Sequence, residues 1–205
     1  MIAVMFVGLS AHLRGGLMVW DRATATAERL QRQRLAFDRM ERDLANAVVY
    51  DEQAGSYGSD PGQLPSPVFE EQTLKFLTRI TRGGGPWRLV RVTYACETRE
   101  QQSGLWRTGQ ALAQARAQQP TPSPELLLAI DDCATFSLQY AYTFPEGQQP
   151  RLDWKRHWPE PLDDPARLTQ LPRLINVSAT IAGQRLERTI MIPHGFLKPA
   201  QQTNP

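Results

Sequence analysis

The pattern of hydrophobic and polar positions changes period once along the chain. The first nine residues, MIAVMFVGL, carry no charge, and apolar character continues weakly through Ser10-Ala11 before His12 and Arg14. From about Gly16 to Tyr50 the apolar residues Trp20, Ala23, Ala27, Leu30, Phe37, Met40, Leu44 and Val48 recur in steps of three, four or seven. That spacing puts them on one stripe of a helix. Arg29, Arg32, Arg34, Asp38, Arg39, Glu41, Arg42 and Asp43 lie mostly off the stripe, and Asp38 with Arg42 makes an i,i+4 pair of opposite sign. The pattern predicts one helix from near Met1 to about Val49, bent at Gly15-Gly16. Its first part has nothing polar to face water, and its later part is amphipathic and lies on a core. A coiled-coil arm fits this stretch less well, because Arg34 and Glu41 break the heptad register.

After Tyr50 the period becomes two. Thr73 to Ile80 alternates, with Leu74, Phe76 and Ile80 on one side. Gly83-Gly84-Gly85-Pro86 reads as a turn, and Leu89 to Glu97 follows with Val90, Val92, Tyr94 and Cys96 on one face, so the two runs form a hairpin. Leu105-Trp106-Arg107 is a short further strand. Ala134 to Phe144 alternates most regularly, and Leu152, Trp154 and Trp158 continue the pattern weakly. Ile175 to Ile181 and Leu186 to Ile192 make a closing hairpin about Ala182-Gly183-Gln184, with Leu186, Ile190 and Ile192 inward. Asp60–Pro67, Gln118–Pro124 and Trp158–Pro165 are loops rich in Pro, Gly, Ser or Gln. Gln110–Gln119 reads as a helical turn or a loop, and Pro193–Pro205, without periodicity, as a tail. The expected fold class is α+β: a long N-terminal α-helix (1–50), an antiparallel β domain (51–193) and a flexible tail (194–205).

Composition narrows the function classes without choosing one. The 205 residues are enough for one domain with a real core. Lys and Arg total 23 against 21 Asp and Glu, an unclustered balance that gives no support to a nucleic-acid surface. Two cysteines exclude a disulfide-scaffold miniprotein and a four-cysteine zinc site. The opening apolar run is about half of the ~20 residues a membrane-spanning helix needs, and it lacks the basic start and small-residue cleavage site of a secretory signal.

No residue set points to catalysis, a cofactor or a metal. Ser56, Ser59 and Ser66 sit in turns, outside any G-x-S-x-G elbow. His12, His157 and His194 are far apart in sequence, and a surface role is the plain reading of His157 between Arg156 and Trp158. Asp131-Asp132 and Asp163-Asp164 match no calcium-loop spacing and read as loop carboxylates. Gly83-Gly84-Gly85 lacks the Lys and Ser/Thr of a phosphate loop. Trp154 and Trp158 are a ligand platform or, by default, buried strand residues. Cys96 ends a strand on its apolar face and Cys133 precedes another. They are plain buried thiols, or, if those strands are neighbours in an oxidising compartment, a disulfide enclosing 36 intervening residues; the disulfide is the preferred reading.

The order of these elements resembles the type IV pilin-like proteins, and Leu30 to Tyr50, LQRQRLAFDRMERDLANAVVY, is similar to the helix signature L-x-x-A-x-x-x-L-x-x-D-L-x-x-A-V of the J-type minor pseudopilins of type II secretion (the GspJ family). Further matches follow in order: LKFLTR (74–79), RLVRVTY (88–94), Leu105-Trp106-Arg107, Leu126 to Tyr140, Trp158-Pro159, Leu171-Pro172 and the hairpin Ile175 to Ile192. The resemblance covers most of 20–193. Each motif is weak alone, and their order is the specific part. It implies a pilin-like α+β fold with the apolar helix held in the bacterial inner membrane and the β domain in the periplasm. It further implies a structural role, without catalysis, in a short filament that helps folded proteins cross the outer membrane, and partnership with I- and K-type minor pseudopilins at the filament tip. Met5, Phe6, Leu9, Leu13, Leu17 and Trp20 are the candidates for helix packing against those partners. The family opens with a short basic leader, a Gly cleavage site, a Phe and, four residues on, a Glu; these are absent here, which leads us to expect an in-frame extension upstream of Met1. A minor pilin of a type IV pilus would share the helix, and a helix-anchored periplasmic binding domain would need a concave polar pocket that no motif suggests.

Overall fold

The computed structural model describes residues 2–48, 68–81, 85–117, 119–144, 151–158, 171–193, 195 and 198–199. The chain forms two compact units, Met1–Asp38 and Arg39–Pro205. Helix α1 runs Ile2–Ala45, so its last turns belong to the second unit. It stops a few residues earlier than its apolar stripe suggests. Asn46 folds back on Arg42, its backbone N–H and side-chain Nδ2 both donating to the Arg42 carbonyl at 3.2 and 2.8 Å. That closes the last turn, and Ala47–Val48, of which Val48 is the β-branched residue, then leaves as strand β1.

The second unit holds two sheets. In the first are β1, β2 (Val68–Phe69), β3 (Thr73–Ile80), β4 (Arg88–Arg99), β5 (Gln102–Ala111) and β6 (Glu125–Ala129). Their order is β1-β3-β4-β5-β6, with β2 also on β3, and every pairing is antiparallel. The expected hairpin of β3 and β4 is present, in register from Thr73↔Ala95 to Ile80↔Arg88. A short helix, α2 (Leu112–Arg116), follows β5 directly. A 3-10 turn at Cys133–Thr135, its start held by the Asp132 carboxylate accepting from the Ala134 N–H at 2.9 Å, leads into the second sheet. That sheet comprises β7 (Ser137–Phe144), β8 (Arg151–Lys155), β9 (Leu174–Ile181), β10 (Gln184–Met191) and β11 (Lys198–Pro199) in the order β10-β9-β7-β11, with β8 on β7.

Several elements differ from the periodicity reading. The strand at Leu105–Arg107 extends over ten residues, because the twelve-residue β4 pairs with it along its whole length. Residues 134–136 do not begin the alternating strand, since the 3-10 turn takes them first. Glu125–Ala129, an apolar run without alternation, is the edge strand β6. Lys198–Pro199, within the segment read as a tail, pairs parallel with Tyr142–Thr143. The Asp60–Pro67 loop, most of the Trp158–Pro165 loop, the acids Asp163-Asp164, and His194 lie outside the described residues, as do Ser56, Ser59 and Ser66.

Alternation fixes the core. Met40 and Leu44 on the helix, Leu74, Phe76, Val92, Tyr94 and Leu105 on the first sheet, and Leu138, Tyr140, Ile175, Val177 and Ile190 on the second are all at most 1% exposed. The strap Phe69–Gln72 joins the sheets through backbone groups. Its carbonyls accept from Trp158 N, Tyr140 Oη, Leu138 N and Cys96 N in turn, at 2.9, 2.7, 2.7 and 3.1 Å.

Candidate functional site

The residues expected to associate with partners all lie in α1. The side chains of Met5, Phe6, Leu9 and Leu13 fall outside the described set. Leu17 and Trp20 are 63% and 71% exposed, and Met18 and Val19 between them are 64% and 67% exposed. Residues 14–28 are exposed without a break. Among the neighbouring polar groups, Glu28 pairs with Arg32 and Arg34 with Asp38 along the helix, each at 3.7 Å. Such exposed pairs contribute little to stability. Among the described residues a methyl group added at Gly15 or Gly16 would meet nothing within 4 Å, so no described neighbour explains either glycine by packing.

The end of the same helix carries a feature that the polar pattern hid. Asp43, grouped with the off-stripe charges, is 3% exposed. Its Oδ2 accepts from Tyr94 Oη on β4 at 2.7 Å and from Arg107 Nε on β5 at 2.8 Å, with Arg39 Nε at 3.9 Å. Thr78 Oγ1 on β3 donates to the Asp43 backbone carbonyl at 2.7 Å. Tyr94 and Arg107 face each other across the β4–β5 register, and the guanidinium carbon stands 5.9 Å from the tyrosine ring centre. Burial, and then the charge of Asp43, hold the Tyr94 hydroxyl well above its usual range, so it remains a neutral donor. The Asp43 carboxylate therefore ties the helix end to β4 and β5, and its backbone carbonyl ties it to β3. A second tie, Arg188 Nη2 to Glu41 Oε2 at 2.7 Å, joins the helix end to β10.

Cys96 on β4 and Cys133 in the 3-10 turn form a disulfide with Cα atoms 5.5 Å apart. Gln72 Nε2 donates to the Cys133 carbonyl at 3.0 Å, so the bridge sits against the strap that joins the sheets. Asp131, weighed above as half of an acidic pair, accepts from the N–H groups of Ala182 and Gly183, both at 2.9 Å. These are the two turn residues of the β9–β10 hairpin and both have positive φ, 50° and 74°. Asp131 and Asp132 thus hold a turn and a helix start. His157 is exposed, Trp158 is buried against Tyr142, and Trp154 is half-buried. Among the described residues no group of three His, Cys, Asp or Glu is placed to hold a metal.

The family model for type II secretion system (T2SS), protein J, matches residues 12–192. The chain belongs to that family. Comparison with curated proteins gives no match. As a type II secretion J protein it is a pilin-like structural component of the secretion system, with one long helix and antiparallel sheets. The aspartate of the family-like helix motif, here Asp43, has a physical reason: it is the acceptor that docks the helix on β3, β4 and β5. Sequence reasoning gave Asp43 no role, although an acid between Met40 and Leu44 on a helix lying against a sheet with an inward Arg107 was the available signal. Among the described residues no helix is long and apolar enough to cross a membrane.

Proposed function

We propose that this type II secretion J protein is a minor pseudopilin of the pseudopilus tip, associating with I- and K-type pseudopilins through the first half of α1 and performing no catalysis. The observation that carries the reading is the run Leu17-Met18-Val19-Trp20, four consecutive helical residues each more than half exposed. Successive residues point in different directions around a helix, so these side chains present apolar surface all round. Apolar surface of that kind finds lipid or other helices. Met5, Leu9, Leu13, Leu17 and Trp20 recur at steps of four and three, and Phe6 stands three before Leu9, which suits a partner helix on one side. In this reading residues 1–50 are the assembly helix, with its apolar start in the bacterial inner membrane. Residues 51–193 are a periplasmic domain that supports export of folded proteins across the outer membrane. An oxidising compartment suits the Cys96–Cys133 bridge.

The test is charge on the stripe. Leu13→Asp and Leu17→Arg should each abolish pull-down of I- and K-type partners while the melting transition of the Arg39–Pro205 unit stays in place. That transition reports a core drawn from Met40, Leu44 and the strands. Undiminished capture by both variants would remove the helix as the assembly surface and turn attention to the Gln110–Pro124 segment.

A further inference from the structure

The first sheet has a second face, away from Tyr94 and Arg107. Side chains alternate along a strand, and the registers align Lys75, Thr93 and Thr108 across β3, β4 and β5 in one row and Leu77, Arg91 and Gln110 in the next, where Leu77 is buried against Leu112 at the start of α2. On the other flank of the lysine row, Trp106 stands beside Leu126 of β6. All but the buried Leu77 and Gln110 are half-buried. Arg91 Nη2 donates to Gln110 Oε1 at 2.7 Å, and Gln110 Nε2 donates to the Gln119 carbonyl at 2.9 Å, which fixes the guanidinium in place.

The charge on this face is unbalanced. Among the described residues neither Lys75 nor Arg91 pairs with a carboxylate, and the acid of the same face, Glu97, is taken by Arg99 at 2.7 Å. Burial, and then the charge of Arg91, push the Lys75 ammonium below its usual range. Two cations partly removed from water and placed next to each other repel, and a carboxylate seated between them relieves both costs.

We infer that this face docks an acidic peptide segment of a protein partner, with its carboxylates on Lys75 and Arg91 and an apolar neighbour against Trp106 and Leu126. The Thr93 and Thr108 hydroxyls both donate and accept, which matches a peptide backbone. A phosphodiester has acceptors alone to offer. Anionic lipid is met by cations projecting near its surface, whereas these are half-buried. The surface is separate from the helix stripe, since all of its residues lie in the Arg39–Pro205 unit.

The experiment titrates the full chain with a fluorescein-labelled peptide of alternating Glu and Leu, with its Gln-for-Glu counterpart and with phosphatidylglycerol vesicles. Saturable, salt-sensitive binding of the Glu peptide is expected, with amide chemical-shift changes centred on Lys75, Arg91, Thr93 and Thr108. Lys75→Gln/Arg91→Gln should weaken it about tenfold or more, the Gln peptide should not bind, and Arg185→Gln on β10 should change nothing. Equal binding by the double variant, equal binding of the Gln peptide, or shift changes centred elsewhere would overturn the inference. So would vesicle binding that is lost in the double variant while the peptide fails to bind. If the double variant does not fold, the shift map of the unsubstituted protein decides.

Discussion

Asp43 shows how one residue can be read correctly for type and wrongly for role. A charged residue on an amphipathic helix is normally solvated, yet this one is buried with a tyrosine, an arginine and a backbone-binding threonine around it. Removing one partner of a buried pair leaves the other charge uncompensated. Asp43→Asn is therefore expected to cost about 2–4 kcal/mol of unfolding free energy, measured by urea denaturation of the β unit. Replacing both partners, Asp43→Leu with Arg107→Met, should recover most of that loss. The tyrosines add a pH signature. Burial is the first cause that holds Tyr94 and Tyr140 above their usual range, followed by Asp43 for the former and by Glu70 and Tyr142 for the latter. An unfolded chain releases the tyrosine proton near pH ~10. Below that pH both states are protonated and stability is complete. Above it the unfolded state binds fewer protons, so stability falls by up to about 1.4 kcal/mol per pH unit for each such tyrosine. The urea midpoint should hold steady up to about pH 9.5 and fall beyond it, less steeply in Tyr94→Phe.

At the scale of elements, period and pairing supplied different information. Alternation in Thr73–Ile80, Leu89–Glu97 and Ile175–Ile192 was visible because one face of each strand meets a core and the other meets water. Strands β1, β2 and β11 have two residues each and carry no period to read. The run ELLLA of β6 has three consecutive leucines after Glu125 and so no alternation, and a bulge against Leu105/Trp106 disturbs its register. The 3-10 turn before β7 exists because Asp132 caps it, and that turn carries Cys133 to Cys96. The bridge closes a long loop, worth about 3–4 kcal/mol in the chain-entropy model. Cys96→Ser/Cys133→Ser should lose stability of that order in denaturant titration. The parent protein, denatured without reductant, should show close to no titratable thiol; two thiols would contradict the bridge.

For the molecule as a whole, the chain divides into the units Met1–Asp38 and Arg39–Pro205, and the proposed association belongs to the first. The buried helix residues Met40, Asp43 and Leu44 belong to the second unit, while the exposed run Leu17–Trp20 belongs to the first. Substitutions at the start of α1 should therefore change capture of partners without moving the melting curve, and those at Asp43 or the cysteines should move the melting curve. A variant such as Leu17→Arg that lowered both would mean the helix start supports the β unit. The two sheets are held together by the Phe69–Gln72 strap and the disulfide, contacts made by loop-like segments with little pattern of their own.

The sequence by itself determined the α+β class, the long helix and both main hairpins, because each rests on a repeat spacing set by backbone geometry; the apolar start of the helix was a plain uncharged run, and the family resemblance rested on the order of motifs. The tertiary structure alone decided that Asp43 faces inward, that Asp131 serves a turn 51 positions away, and that Cys96 lies beside Cys133. It also decided that Lys75 and Arg91 stand in adjacent rows of one sheet face, half-buried, since β3 and β4 pair across a turn whose register the spacing of apolar residues does not state. Partners distant in sequence leave no period in it, and whether a charge is solvated or paired is settled when the strands come into register.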